Sequence, residues 1–188
     1  MKAVIVYTHV WNESFNHHIL ETTVNHLEKK GDVVDVIDLH ADGFNPAYTQ
    51  EDLRLFSRGE YADPLAADYI ERLKAAEKII FIFPIWWFNT PGMLKGFLDK
   101  VLLKGQAYDE IDHKLTGLLN INEGLVLTTA NISKENLAFV GDPIQSTLIN
   151  GTLDMVGIKN VSWIHCQTVH LPESREQYLK EISDYFEN

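Results

Sequence analysis

The chain has 188 residues, 45% hydrophobic and 23% charged, the balance of a soluble globular protein long enough to bury a proper core. Its formal net charge of −11 argues against non-specific nucleic-acid or anionic-membrane binding, although backbone N–H groups can hold phosphate without a basic surface. The lone Cys166 excludes an intrachain disulfide framework, and no apolar run reaches membrane-spanning length, so a reducing, cytoplasmic setting without membrane insertion is expected.

Lys2–Tyr7 (KAVIVY) has the β-branched, uninterrupted apolar character of a buried first strand, with neither the basic start nor the long apolar core of a secretory signal. A polar loop, Thr8 to Asn16, leads into a helix over residues 15–30, whose inner stripe is Phe15, Ile19, Thr23 and Leu27 and whose stop is Gly31. Residues 33–39 (VVDVIDL) make the second strand and complete a βαβ unit. Residues 40–63 form a long polar connection punctuated by Gly43, Pro46 and Gly59, with room for a short helix over Gln50–Phe56. Pro64 opens a helix carrying Leu65, Ala66, Tyr69, Ile70, Leu73 and Ala76 on one side.

The third strand, residues 78–83, is a fully apolar run after Lys78, as in a parallel strand covered on both faces. Pro84 ends it, residues 84–90 form an aromatic loop, and a helix over 91–103 follows with Thr90 as N-cap and Pro91 at its first position. Residues 104–119 read as a linking segment, 124–130 as the fourth strand, 131–141 as a loop and 143–156 as a moderately amphipathic helix. Val161–Cys166 is the fifth strand, with Cys166 as a small buried hydrophobe, and residues 173–186 form a terminal helix. Five strands alternating with helices predict one α/β domain over residues 1–188, a doubly wound five-stranded parallel sheet with helices on both faces.

In such a sheet ligands bind beyond the carboxyl ends of the strands. Three loops meet there. The first offers Thr8, His9, Ser14 and Asn16 as side-chain donors, backed by a helix N-terminus, which is a phosphate site built without glycine. No glycine precedes Gly31, so neither an ATP loop nor a dinucleotide fingerprint is present. The second loop offers Ile85, Trp86, Trp87 and Phe88 as a platform for a flat ring, the plain alternative being that these rings plug the core. The third offers Thr128, Thr129, Ala130 and Asn131. A flavin mononucleotide needs this layout, with phosphate at a helix end and the ring along apolar loops. His17, His18, His26, His113, His165 and His170 show no metal-ligand spacing, so no metal is expected and they read as solvent-facing or structural.

The stretch FPIWWFNTPGMLKGFLDKVL resembles the F-P-x-x-W-F-x-x-P-x-x-L-K-G-x-x-D-R-V motif of the NAD(P)H:quinone oxidoreductases, the DT-diaphorase-like family with a flavodoxin-like fold. THVWNESFN is similar to that family's H-x-x-x-x-S-F-N loop, Asp38–Leu39 with Phe44–Asn45–Pro46 to its D-L-Y…F-N/D-P segment, Gly105–Tyr108 to its G-x-A-Y/F stretch, and Thr128–Thr129 to the start of its T-T-G-G loop. The resemblance implies ping-pong hydride transfer from NAD(P)H through the flavin to a quinone or similar small acceptor. It implies that His9, Ser14, Phe15 and Asn16 hold phosphate and ribityl chain. Pro84, Ile85, Trp86, Trp87 and Phe88 would carry the isoalloxazine, with Thr128, Thr129 and Asn131 at its far edge. The Trp87 and Phe88 amides would stabilise charge on the reduced ring, giving these two residues the catalytic role. A homodimer is implied, with Tyr108 reaching a neighbouring subunit's substrate pocket. Two departures stand out: T-T-G-G becomes Thr-Thr-Ala-Asn, and residues 131–142 lack the Tyr and His of the mammalian-type charge relay. The chain is shorter than FAD-binding members, which favours FMN while leaving FAD open. An electron carrier of the same fold, or a regulatory flavoprotein subunit of a transporter, is the competing reading.

Overall fold

The computed structural model describes residues 1–187. Five parallel strands, β1 (Lys2–Tyr7), β2 (Val33–Asp38), β3 (Lys78–Pro84), β6 (Glu123–Thr129) and β7 (Val161–Cys166), form a sheet in the order β2-β1-β3-β6-β7. The expected doubly wound sheet is present, and β3 lies at its centre because its whole run is buried.

Strand alternation sorts the core into two layers. Val4, Val6, Ile79, Phe81, Phe83 and Val126 point to the side covered by α3 (Pro64–Lys74), α4 (Gly92–Val101) and α5 (Lys134–Phe139). Ala3, Ile5, Tyr7, Ile80, Ile82, Leu125 and Leu127 point to the other side, under α1 (Phe15–Lys29) and α7 (Pro172–Glu187). Cys166 is buried in this second layer as expected.

The long connection after β2 carries α2 (Gln50–Phe56), started by a capping box in which Thr49 and Asp52 satisfy each other's backbone N–H. This segment is tied to α4 by the buried Lys100, whose Nζ donates to the Asn45 carbonyl at 2.9 Å and to Asp63 Oδ2 at 3.0 Å. Gly96 lets the two approach, since a Cβ there would sit 2.3 Å from the Pro46 carbonyl oxygen.

Four local expectations are corrected. Residues 104–119 hold an antiparallel hairpin, β4 (Tyr108–Ile111) with β5 (Lys114–Gly117), turned at Asp112 and His113 with φ of 52° and 59°. The loop 131–141 contains α5, capped by the Ser133 hydroxyl accepting from the Asn136 N–H. The helix expected over 143–156 is a π-helix at Ile144–Leu153 that tightens into α6 (Asp154–Val156). There Ser146 Oγ donates to the Gly141 and Asp142 carbonyls and Thr152 Oγ1 to the Thr147 carbonyl at 2.9 Å, a back-bonding that opens the turns. Finally, Thr90 does not cap α4; Pro91 holds the N-cap position and the Thr90 N–H is taken by Asn89 Oδ1.

Candidate functional site

Three loops, leaving β1, β3 and β6, lie side by side at the carboxyl edge because those strands are neighbours. Each is stitched to the next. The Thr8 N–H donates to the Ile82 carbonyl, the Ile85 N–H to the Thr129 carbonyl, and the Ala130 N–H to the Cys166 carbonyl.

The first loop ends at Ser14, whose hydroxyl accepts from the His17 N–H at 3.2 Å and starts α1. The first turn of that helix carries no acidic residue, so its positive end is left uncompensated. Asn16 is 5% exposed and donates Nδ2–H to Thr129 Oγ1 at 2.9 Å, joining the first loop to the third. Its Oδ1 and the hydroxyl of Thr8, 1% exposed, are buried without a hydrogen-bond partner among the described residues. Buried polar groups are normally paired, so two orphans beside a helix N-terminus point to a polar ligand. His9 sits above them, its Nδ1 accepting from the Trp11 N–H at 3.1 Å. The same Nδ1 lies 3.3 Å from the Trp11 carbonyl oxygen, and burial lowers the imidazole from the usual histidine range against that backbone contact.

The second loop is a tight turn. Trp86 and Asn89 exchange both backbone hydrogen bonds at 3.0 Å, with Trp87 and Phe88 between them at φ of 50° and 63°. That is the signature of a type I′ turn, built here from two large side chains rather than Asn and Gly. Bulky residues in the left-handed region carry strain of about 1–2 kcal/mol each, and such strain collects at ligand sites. The two central amides take no part in the turn's own pairing and are free for a ligand. Trp87 is 93% exposed and Trp86 50%, with the Trp86 ring 6.5 Å from that of His9. These rings therefore do not plug the core. Ile85 does, and Phe88 packs partly against it. Ile85 and Pro84 support the turn from below rather than offering side chains to a ligand.

The third loop divides its residues between two tasks. Thr129 faces Asn16. Thr128, on the opposite face of β6, is fully buried, its hydroxyl engaged by Trp163 Nε1 and His165 Nδ1, both at 2.8 Å. Asn131 is exposed, and its Oδ1 accepts from the His170 N–H and meets His170 Nδ1 at 2.6 Å, which ties the loop after β6 to the one after β7. The family resemblance implies Thr128 at the flavin edge; its hydroxyl is committed inward, leaving the backbone beyond it as the reachable part. Phe15 is half-buried at the start of α1, its ring 6.2 Å from that of Tyr178.

Tyr108 lies apart from this cluster, on the hairpin. It lines a cleft of ≈ 530 Å³ that begins at Asn89 and Thr90, the far end of the aromatic turn, and runs between α4, the hairpin and the π-helical segment. Tyr48, Phe56, Leu98, Leu102, Leu115 and Met155 make the cleft largely apolar.

A family model described as having a flavodoxin-like fold, Flavodoxin_2, matches residues 1–188. The chain belongs to the Flavodoxin_2 family. Within it, the human ribosyldihydronicotinamide dehydrogenase [quinone] is 31% identical over 179 residues, covering 84% of this chain and 78% of that protein. The NAD(P)H:quinone oxidoreductase from Methanothermobacter marburgensis superposes with a TM-score of 0.88 at 27% identity, over 100% of this chain and 98% of that one. The structure of Smu.1420 from Streptococcus mutans UA159 is similar at a TM-score of 0.83 and 28% identity, covering 99% of this chain and 98% of that one. The resemblance read from the aromatic motif thus holds across the fold, and this Flavodoxin_2 protein is an oxidoreductase. No helix among its described residues is long and apolar enough to cross a membrane.

Proposed function

We propose that this chain is a single-domain, flavin-dependent NAD(P)H oxidoreductase that passes a hydride, in two half-reactions at one site, to a quinone or similar small acceptor. The observation that carries the reading is one juxtaposition. Orphaned Thr8 Oγ1 and Asn16 Oδ1, in the loop after β1 and the first turn of α1, lie at the same sheet edge as a strained aromatic turn with two unpaired amides that follows the neighbouring strand β3.

FMN fits these residues. The N–H groups of the first turn of α1, with Ser14, Phe15 and Asn16, would take its phosphate, and His9 would donate a ring N–H. The Trp86–Asn89 turn would support the ring, and its amides would face the edge where negative charge develops. Bound there, the flavin supplies the two-electron chemistry. The protein's own work is to fix the ring against the turn, set amide dipoles before reaction, and leave one ring face open to donor and acceptor in succession. The names of the relatives support a nicotinamide donor and a quinone acceptor. FMN is preferred over FAD, and a cytoplasmic homodimer is the expected form. The half-exposed apolar residues Phe56, Leu115 and Met155 along the Tyr108 cleft suit contact with a second copy.

The test is titration of flavin-free protein with FMN and with FAD, followed by steady-state turnover of NADH and NADPH with menadione. Tight one-to-one FMN binding and menadione-dependent nucleotide oxidation are expected. Failure to bind either flavin would overturn the reading, and preferential FAD binding would correct the cofactor.

A further inference from the structure

His165 has no place in the site as described, yet it is the best-connected histidine near it. Its ring is buried in β7 directly opposite Thr128 of β6, the two being register partners. Nδ1 lies 2.8 Å from Thr128 Oγ1, and Nε2 lies 2.8 Å from the Ile132 carbonyl oxygen. Trp163, two residues before on the same strand face, brings Nε1 to 2.8 Å from the same Thr128 oxygen, its ring 5.7 Å from that of His165.

These contacts fix every proton. A carbonyl oxygen only accepts, so His165 Nε2 must carry hydrogen. Trp163 Nε1 only donates, so the Thr128 oxygen must accept from it. The Thr128 hydroxyl proton then needs an acceptor, and a bare His165 Nδ1 is the one in reach. A protonated ring would point Nδ1–H at the Thr128 oxygen and leave the buried Thr128 proton without its acceptor. Burial, with the charge of Lys134 on α5 adding to it, lowers the ring's pKa against the opposing hydrogen bonds to the backbone of Ile132 and Thr128 and the charge of Asp142, in the direction of the same neutral form. The chain therefore runs Trp163 Nε1–H to Thr128 O–H to His165 Nδ1, and His165 Nε2–H to the Ile132 carbonyl.

The position of that last acceptor gives the chain its meaning. The third loop has its Thr129 carbonyl, Ala130 N–H and Ala130 carbonyl paired to backbone, and Asn131 Oδ1 held by His170. Among the described residues only the His165 contact fixes the carbonyl of Ile132, just beyond Asn131, where the residues carry side chains instead of glycine. We propose that His165, as the neutral Nε2–H tautomer locked by Thr128, is a positioning residue that holds the Asn131–Ile132 backbone as the far wall of the cofactor site. The functional part of this inference rests on the flavin reading above; the tautomer and the loop do not.

The test starts with the flavin-free full-length chain. Long-range ¹H–¹⁵N correlation spectra at neutral pH should show His165 protonated at Nε2 and bare at Nδ1. Thr128→Val, which removes the hydroxyl but keeps the shape, should speed amide exchange at Ala130 and Val169, whose N–H groups pair the third loop to its neighbours, and weaken FMN binding about tenfold. His165→Phe should do the same, and Thr128→Ser, which restores the hydroxyl, should rescue both readouts. An Nδ1–H or doubly protonated ring, or exchange at Ala130 and Val169 unchanged in Thr128→Val, would overturn the proposal. If the unaltered chain binds no flavin, the proposed function fails, and the tautomer and exchange data still decide the positioning role.

Discussion

Trp87→Asn separates stability from function at the aromatic turn. Trp87 occupies the left-handed region at φ 50° with its ring 93% exposed, so it bears backbone strain and contributes little burial to the folded chain. A bulky residue there costs about 1–2 kcal/mol, whereas Asn adopts this conformation readily and is favoured at the first central position of a type I′ turn. With almost no packing to lose, the substitution should stabilise the flavin-free protein by about 1 kcal/mol. For a chain of this size that is a rise in Tm of about 2–4 °C. Ligand binding should move the other way, weakening by about three- to tenfold as one aromatic contact is lost. Differential scanning calorimetry of the flavin-free protein, paired with an FMN titration, reads both. A Tm lowered by more than about 2 °C would refute the reasoning, because it would mean that the indole is packed and its backbone geometry unstrained.

Three further outcomes follow from the same geometry. Asn16→Ala removes the 2.9 Å bond to the buried Thr129 hydroxyl and should cost about 1–3 kcal/mol, read as a lower urea midpoint at unchanged m-value, together with weaker FMN binding. Gly96→Ala puts a Cβ 2.3 Å from the Pro46 carbonyl oxygen and should destabilise by about 1–3 kcal/mol despite the better helix propensity of alanine; a neutral effect would show that the Lys100-tied segment shifts freely. His165 has its folded pKa lowered, chiefly by burial, so its neutral pairing adds stability above the unfolded histidine pKa. That stability is lost as pH falls from the unfolded value through the folded one. The acid limb of a stability profile should therefore flatten in His165→Phe, and an unchanged limb would remove this residue from the pH response.

Most of the frame was legible because it rests on local signals. The apolar runs of β1 and β3 announce themselves without long-range information. The hairpin did not, since its strands are four residues long and its Asp112–His113 turn lacks the Asn-Gly that marks a type I′ turn. The π-helix was hidden because apolar spacing at Ile144, Leu148 and Leu153 suits a wider turn as well as an α-turn, and hydroxyl back-bonding decided between them.

The candidate site divides in the same way. His9, Ser14, Asn16 and the Trp86–Phe88 turn follow from their position after strands. The inward commitment of Thr128 was not readable, because His165 is 37 residues away and meets it only through the register of two strands. Read one residue at a time, His165 was only a structural histidine.

The most direct measurement is anaerobic stopped-flow mixing of FMN-loaded protein with NADH or NADPH, followed by menadione in a second push. Rapid two-electron bleaching of the flavin band by a nicotinamide donor, then rapid recovery on adding menadione, is the predicted result. Flavin that stays oxidised in the presence of both nucleotides would contradict the account and point to a carrier reduced by another protein.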